Sequence, residues 1–280
     1  MSAVIKISEI GSKKIYRSMP LEYDILSLTY RVLYPVSWYN SDGRLGMKLR
    51  ERLFLLSGGV YGKLGNVYAI RHDSGYILID CGRYDALEII RKNMAYWTIS
   101  EQEITHVLLT HGHDDHAGSS SWFQSMGARI YVGAGDETSM IAGNFGEESP
   151  FTNHVMPPCH PDICIQKDMD FSVGGLLIHA LCMPGHTDGS VLYHLSLDGE
   201  EVLFSGDMFF ADGETGEAAF TGWKGDRNYN GIRLLNSFQK LWKLNLHPDI
   251  VAGGHGIPVI GRHADQIIML AYKYAMLNNR

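Results

Sequence analysis

The chain has 280 residues, of which 45% are hydrophobic and 20% charged, so it can bury a sizeable core and is not expected to be disordered. Lys and Arg number 24 against 31 Asp and Glu, and the net charge of -7 argues against a nucleic-acid partner. No apolar run approaches the roughly 18–20 residues that cross a bilayer, and the N-terminus lacks the apolar stretch of a signal peptide. Four cysteines in no metal-binding or disulfide-dense pattern favour a reducing compartment, so we expect a cytoplasmic protein away from membranes.

Residues 1–60 are the least regular part of the chain and are rich in Tyr and Trp. We expect a single domain over residues 1–280, in which residues 1–60 form an N-terminal extension. The aromatic side chains of this extension either pack as part of its own core with edge strands or form a wall of a substrate pocket.

From residue 66 onward, strand patterns alternate with helical ones. Residues 66–71 and 76–80 predict a hairpin, residues 84–97 a helix with apolar positions at helical spacing, and residues 105–110 a buried strand. Further segments predict short helices near 119–126 and 136–142 and a strand at 129–132.

The second half of the chain repeats this alternation. Predicted strands lie near residues 169–173, 176–182, 191–196, 201–205 and 249–252. A helix near 229–243 should bury one face, with Leu234, Phe238, Leu241 and Trp242. A last helix near 262–278 should bury Ile267, Leu270, Tyr274 and Leu277. The order predicts sheets covered by helices in one unit.

The segment of residues 111–116, HGHDDH, carries three His and two Asp directly after an apolar strand. Imidazole nitrogens and carboxylate oxygens are the ligands that zinc prefers. His111 and His113 are two positions apart, so an extended backbone points both to one side. Asp115 and His116 follow after the chain turns and can face a second position nearby. Without a cation, so many ionisable groups at a strand end would be costly.

Three later strands also end in a residue that can bind metal. His186 follows the strand near 176–182, Asp207 follows the strand near 201–205, and His255 follows the strand near 249–252. Each has glycine beside it, which permits tight backbone turns. A lone His at such a place is usually structural, but four strand ends of this kind together predict one shared metal site.

The HGHDDH segment resembles the HxHxDH motif of the metallo-β-lactamase superfamily, and residues 65–82 are similar to that family's first motif. The resemblance covers roughly residues 64–262 and implies an αββα sandwich with two metal ions at one sheet edge. It implies that one ion is held by His111, His113 and His186. It implies that the second is held by Asp115, His116 and His255, with Asp207 bridging both.

Two features of the resemblance bear on activity. Asp80 corresponds to a structural Asp of the family that supports the metal loop without binding metal. The bridging Asp is absent from the true β-lactamases, which are usually exported, and is present in glyoxalase II, lactonases and related thioesterases. Asp207 therefore disfavours a penicillin-type substrate.

The resemblance implies a hydrolase in which two divalent cations share a hydroxide that attacks an ester, lactone or thioester. Zinc is the favoured metal, with iron or manganese left open. Asp115 and Asp207 are the candidate catalytic residues, since either could orient the hydroxide and pass a proton to the leaving group. No GxSxG motif supports a serine hydrolase instead.

A small-molecule substrate should contact the loops at 143–162 and 208–230. Apolar walls and anion contacts in the second loop are predicted at Phe209, Phe210, Phe220, Trp223, Lys224 and Arg227. The alternative is that these aromatic residues pack the loop onto the body of the protein. The tyrosine that lactonases place after the bridging Asp is missing, and Tyr61 or Tyr229 are candidates to replace it.

Only 24 residues follow Gly256, which makes a glutathione-gripping region like that of glyoxalase II less expected. An iron-dependent oxidoreductase such as a persulfide dioxygenase, and a phosphodiesterase, remain alternatives on the same fold. A homodimer through the aromatic N-terminal residues and a monomer fit the sequence equally well.

Overall fold

The structure, a computed structural model, describes residues 8–10, 13–15, 46–58, 64–144, 156–212, 217–261 and 264–279. In the first half the strands are β1 Ser8–Ile10, β2 Lys13–Ile15, β3 Met47–Arg50, β4 Leu53–Ser57, β5 Val67–His72, β6 Gly75–Ile79, β7 Ile104–Leu108, β8 Arg129–Gly133 and β9 Ile163–Ile165. In the second half they are β10 Met169–Val173, β11 Leu176–Cys182, β12 Val191–Leu197, β13 Glu200–Gly206, β14 Phe210–Ala211, β15 Ala219–Phe220, β16 Ile250–Gly253 and β17 Val259–Ile260.

The α-helices are α1 Leu87–Tyr96, α2 Asp114–Ala117, α3 Ser120–Ser125, α4 Glu137–Ala142, α5 Gly231–Leu244 and α6 Ala264–Asn278. The longest of these described helices have 14 and 15 residues, and none offers the length and apolarity that a bilayer crossing needs.

Two mixed sheets form the body of the protein. The first has seven strands in the order β3-β4-β5-β6-β7-β8-β9, antiparallel up to β6 and parallel from β6 to β9. The second has six strands in the order β10-β11-β12-β13-β16-β17, with β13 and β16 parallel. Helices lie between the parallel strands of the first sheet in the chain, as crossover connections require.

Alternating side chains along the strands explain the layering. In β6, Ile77 belongs to the core shared by the two sheets, whereas Leu78 faces the opposite way and packs with α1. In β13, Phe204 faces the other sheet, and Leu203 packs beneath α5 and α6. Because both sheets bury both faces, the order of layers is helix, sheet, sheet, helix. The predicted αββα sandwich is therefore confirmed.

The predicted elements are found with small shifts at their ends. Residues 46–58, inside the predicted N-terminal extension, contribute two strands to the first sheet, and Leu53 and Leu55 are buried in the core between the sheets. Four short strands beyond residue 60 were not predicted: β9, β14, β15 and β17 have only two or three residues each. Strands this short show no readable alternation.

Two predicted core positions are wrong. Trp242 of α5 is 57% exposed, and Leu277 of α6 is 72% exposed. Leu234, Phe238 and Leu241 form the buried stripe of α5, and Trp242 lies one position beyond it, about 100° further round the helix. In α6 the buried residues are Ala264, Ile267, Ile268, Ala271 and Ala275, so the small alanines, and not Leu277, face the sheet.

Substitutions on the buried and exposed sides of α5 should differ in their effect on stability. Phe238→Ala should lower the free energy of unfolding by about 3–5 kcal/mol, because it opens a cavity in a fully buried site. Trp242→Ala on the same helix should change it by about 0.5 kcal/mol or less, since the side chain is largely in solvent. Urea denaturation of both variants measures the difference. Equal losses would contradict the assignment of the buried face.

Candidate metal centre

The residues predicted to bind metal lie where strands of both sheets end at a common edge. The parallel strands β6 and β7 end at Asp80 and at the HGHDDH loop. In the second sheet β11, β13 and β16 run in the same direction, so the residues that follow them also meet at one edge. All seven predicted ligands are brought together there, in three overlapping groups that could each hold a metal ion.

The first group consists of His111, His113 and His186. His111 Nε2 lies 3.0 Å from His113 Nδ1, and His186 Nε2 lies 3.3 Å and 3.1 Å from these two atoms. Zinc ligands sit about 2.0–2.1 Å from the ion, which places the nitrogens of a tetrahedral set about 3.3 Å apart. The spacing of these three nitrogens therefore matches one face of a zinc site. All three residues are also buried.

The hydrogen bonds behind this group decide where its lone pairs point. Thr110 donates its hydroxyl proton to Asp80, so its oxygen accepts from Nδ1–H of His111 and leaves Nε2 of His111 unprotonated. The carboxylate of Asp226 can only accept, so a neutral His113 donates to it from Nε2–H and keeps Nδ1 as a lone pair. His111 Nε2 and His113 Nδ1 therefore face each other as lone pairs at 3.0 Å. Neither nitrogen has a proton to donate to the other, so the arrangement suits a cation bound by both.

The second group consists of Asp115, His116 and His255. Asp115 Oδ2 lies 3.2 Å from His255 Nε2 and 3.5 Å from His116 Nε2, and the two imidazole nitrogens are 3.4 Å apart. The side chain of His116 has no exposed surface, and those of Asp115 and His255 are only 14% and 12% exposed.

Asp207 lies between the two groups. Its Oδ2 is 3.3 Å from His255 Nε2 and 3.7 Å from His186 Nε2, and its Oδ1 is 3.5 Å from His116 Nε2. Asp207 Oδ1 is buried and accepts no hydrogen bond from the described residues. A buried carboxylate oxygen without a donor is costly unless a cation faces it, so the residue fits the predicted bridging position.

Carboxylates make the second group attractive to positive charge. Burial lowers the pKa of His255, but the charge of Asp207 and hydrogen bonds to Asp115 and Asp207 outweigh burial and raise that pKa to about 10. Burial is likewise outweighed at His116, whose pKa is held well above its usual value by Asp115, Asp207 and Asp80. Positive charge at this place comes from protons on the two imidazoles, or from a metal ion that replaces them.

The first group behaves in the opposite way. Burial and the charge of His113 lower the pKa of His186 to about 3, with Asp207 opposing the shift. Burial, together with His116 and its other imidazole neighbours, places the pKa of His111 well below its usual value. His111 and His186 are therefore neutral near pH 7, which is the form that binds metal.

Asp80 supports the cluster from behind. Its Oδ1 accepts a hydrogen bond of 2.7 Å from Thr110 N, and its Oδ2 accepts from Thr110 Oγ1 and His116 Nδ1, both at 2.8 Å. Asp80 has a φ of 57°, a conformation that few non-glycine residues adopt. Its atoms orient two metal-loop residues and lie outside the groups that could hold an ion.

Two acidic residues in the site were missed by the sequence analysis. Asp226 accepts from His113 as described above. Asp136 accepts hydrogen bonds of 2.8 Å from Gly112 N, Gly189 N and Thr187 Oγ1, and so joins the HGHDDH loop to the loop that carries His186. Burial raises the pKa of Asp136 to about 6. Asp226 lies in a loop with no strand-end signal. Asp136 follows β8 and Gly135 much as His186 follows β11 and Gly185, so the same strand-end pattern could have indicated it.

Two glycines allow the close approach of the strand ends. Gly206, at φ 50°, would place a Cβ 2.5 Å from the side chain of Thr110. A Cβ on Gly254 would lie 2.2 Å from Asp207 Oδ1 and 2.8 Å from His116 Cε1. Any side chain at Gly254 would therefore push apart the groups that form the centre.

The predicted substrate-loop residues mostly pack inward. Phe209 is fully buried and packs against Phe238, 5.8 Å away, whereas Phe210 lies against the ring of His255 at 5.5 Å. Phe220 contacts Tyr274, and Lys224 donates to the carbonyl of Asn278.

The remaining predicted residues of the second loop differ in their exposure. Trp223 is half-buried and Arg227 is exposed. The hydroxyl of Tyr229 donates to Asn279, at the end of α6, and so is engaged away from the metal groups. Tyr61 and residues 145–155 of the first predicted loop lie outside the described residues.

The sequence pattern of the Metallo-beta-lactamase superfamily matches residues 60–255. A probable polyketide biosynthesis zinc-dependent hydrolase, BaeB of Bacillus velezensis, is 26% identical over 155 residues, which are 55% of this chain and 57% of that protein. A hydroxyacylglutathione hydrolase of Rhizobium meliloti is 29% identical over 111 residues, 40% of this chain and 36% of that protein. The matched part of this chain thus spans less than two thirds of either relative.

Solved structures share the fold. A metallo-beta-lactamase of Cronobacter sakazakii aligns with a TM-score of 0.61 at 20% identity, covering 76% of this chain and 78% of that one. BJP-1, a subclass B3 metallo-beta-lactamase of Bradyrhizobium japonicum, aligns with a TM-score of 0.60 at 22% identity, with coverage of 76% and 78%. At this identity the likeness establishes the architecture alone.

The role of Asp136 can be tested by removing its carboxylate. Asp136→Ala should lower the free energy of unfolding of the metal-free protein by about 2 kcal/mol or more, because buried donors of both loops lose their acceptor. Asp188→Ala is the matched control, since that carboxylate is 43% exposed and pairs only with Arg233 at the surface in the described contacts. It should cost about 1 kcal/mol or less. Urea denaturation measures both, and a loss no larger than that of the control would contradict the joining role.

Proposed function

This chain belongs to the metallo-beta-lactamase superfamily, and from that premise we propose that it is a zinc-dependent hydrolase of a small-molecule ester, lactone or thioester. The observation that carries the proposal is the pair of buried groups of imidazoles and carboxylates with Asp207 between them. In the proposed site, His111, His113 and His186 would hold one ion. Asp115, His116 and His255 would hold a second, and Asp207 would be available to both.

Divalent ions at these positions would polarise a carbonyl group and lower the pKa of water enough to supply hydroxide near neutral pH. The carboxylates of Asp115 and Asp207 can accept a hydrogen bond from the attacking water and so orient it. Either carboxylate can take a proton from the water as it attacks and then pass that proton to the departing alkoxide or thiolate. No side-chain nucleophile is needed, since water is the attacking group.

The proposed bond type rests on two supports. The relatives named above are a zinc-dependent hydrolase and a hydroxyacylglutathione hydrolase. Asp207 lies between the two groups, and a bridging Asp is the feature that the resemblance associates with thioesterases and lactonases. We propose a small-molecule substrate that binds at the edge where the two groups meet, with Phe210 packed behind His255.

Metal content and substrate class can be measured together. Purified protein should contain zinc by elemental analysis, and exhaustive chelation should abolish hydrolysis of an acyl-lactone or acyl-thioester, with recovery on adding zinc. A β-lactam and bis-nitrophenyl phosphate complete the panel. Cleavage of the phosphodiester alone would favour a phosphodiesterase, and iron content with oxygen consumption on a persulfide would favour an oxidoreductase. Full hydrolysis after chelation would end the proposal.

Substitutions within the two groups should remove metal and activity together. His113→Ala and Asp207→Ala should each lower bound zinc and reduce kcat/KM by about 100-fold or more, because each removes one of the proposed ligands. His179→Ala is the control, since that imidazole is 37% exposed on β11 and pairs with Asp170. Full metal content and activity in both site variants would exclude the site.

A further inference from the structure

Asp226 has no part in the ligand sets described above, yet it is joined to one of them. It lies five residues before α5, and its side chain is 1% exposed. Asp226 Oδ2 lies 2.9 Å from His113 Nε2, across 113 residues of sequence. Two side chains so far apart in the chain therefore meet in a buried hydrogen bond at the edge of the first group.

The chemistry of this contact determines the form of the imidazole. A neutral imidazole carries one proton, and a carboxylate without a proton only accepts hydrogen bonds. The proton of His113 must therefore sit on Nε2. Its Nδ1 is left as a lone pair, 3.0 Å from His111 Nε2 and 3.1 Å from His186 Nε2. The tautomer of His113 that suits metal binding is the one that Asp226 selects.

Asp226 is itself held by a turn that also contacts the loop of His186. Its Oδ1 accepts from Asn228 N at 2.6 Å, and its carbonyl accepts from Tyr229 N at 3.0 Å. The next residue, Asn230, donates its N–H to the carbonyl of Gly185 at 2.8 Å, and its side chain caps α5. The turn at 226–230 therefore positions His113 through a side chain and the neighbour of His186 through the backbone.

We propose that Asp226 is a positioning residue for the first metal group: it fixes His113 as the Nε2–H tautomer and aims Nδ1 at the point shared with His111 and His186. This inference rests on the proposed function, because it presumes that the first group holds a metal ion. Partners of this kind behind a metal-binding imidazole typically change metal affinity by about 10- to 100-fold when they are removed.

A merely structural Asp226 would contribute to folding without affecting the imidazole. The two roles differ in a spectroscopic signature that needs no metal. In metal-free protein, long-range proton–nitrogen NMR correlations should show His113 protonated at Nε2. In Asp226→Ala the same correlations should show an increased share of the Nδ1–H form, while a structural role would leave the tautomer unchanged.

Zinc affinity supplies the second measurement. In a competition titration with a chromophoric chelator, Asp226→Ala should bind the zinc of the first group about 10- to 100-fold more weakly than the unmodified chain. Asp226→Asn should lose less, because its amide oxygen can still accept from Nε2–H. Asp188→Asn, a surface carboxylate near the same loop, is the matched control and should bind zinc like the unmodified chain.

The results separate the two proposals. If the unmodified chain retains no zinc, the proposed function fails, and the tautomer of His113 in metal-free protein still tests Asp226. If the unmodified chain binds zinc and both Asp226 variants match it in affinity and tautomer, the positioning role is overturned. If Asp226→Ala fails to fold, the test uses Asp226→Asn alone. A weaker zinc affinity in that variant supports the proposal, and an unchanged affinity and tautomer overturn it.

Discussion

Buried negative charge that needs positive charge beside it is the constraint around which this structure is organised. Asp115 and Asp207 lie with two imidazoles in a cluster that water scarcely reaches, and their carboxylates hold the pKa of His116 well above its ordinary value. Burying such groups is unfavourable unless positive charge accompanies them. The cluster is therefore a place where a divalent cation is stabilised by the same carboxylates that would otherwise destabilise the fold.

Buried hydrogen bonds join the two sheets at the edge where the site lies. Asn66 and Tyr68 of the first sheet both donate to the carbonyl of Gly253 in the second, at 2.8 Å. Tyr193 of the second sheet donates to the carbonyl of Leu109 at 2.9 Å, and is fully buried. These contacts are hydrogen bonds between partners far apart in the chain. They hold the strand ends in place so that side chains from different loops converge.

Behind the imidazoles stand three carboxylates that are not themselves in the ligand groups. Asp80 orients His116, Asp226 faces His113, and Asp136 holds the backbone on both sides of the first group. Metal-binding imidazoles elsewhere also donate their second N–H to carboxylates, which fixes the tautomer. Several of the acidic residues of the chain thus support the candidate metal centre by accepting hydrogen bonds behind it.

The local periods of the sequence predicted sheets covered by helices in one unit. The resemblance to the metallo-β-lactamase superfamily implied the αββα order and the candidate ligands. Strand and helix periods revealed the elements, and each predicted ligand follows a strand end beside glycine. Tertiary structure alone decided which way Trp242 and Leu277 face. Trp242 lies at the edge of the buried stripe of α5, and Leu277 lies on a side of α6 that is turned away from its buried residues. It alone also brought Asp226 to His113, because no sequence period records a contact between residues 113 positions apart.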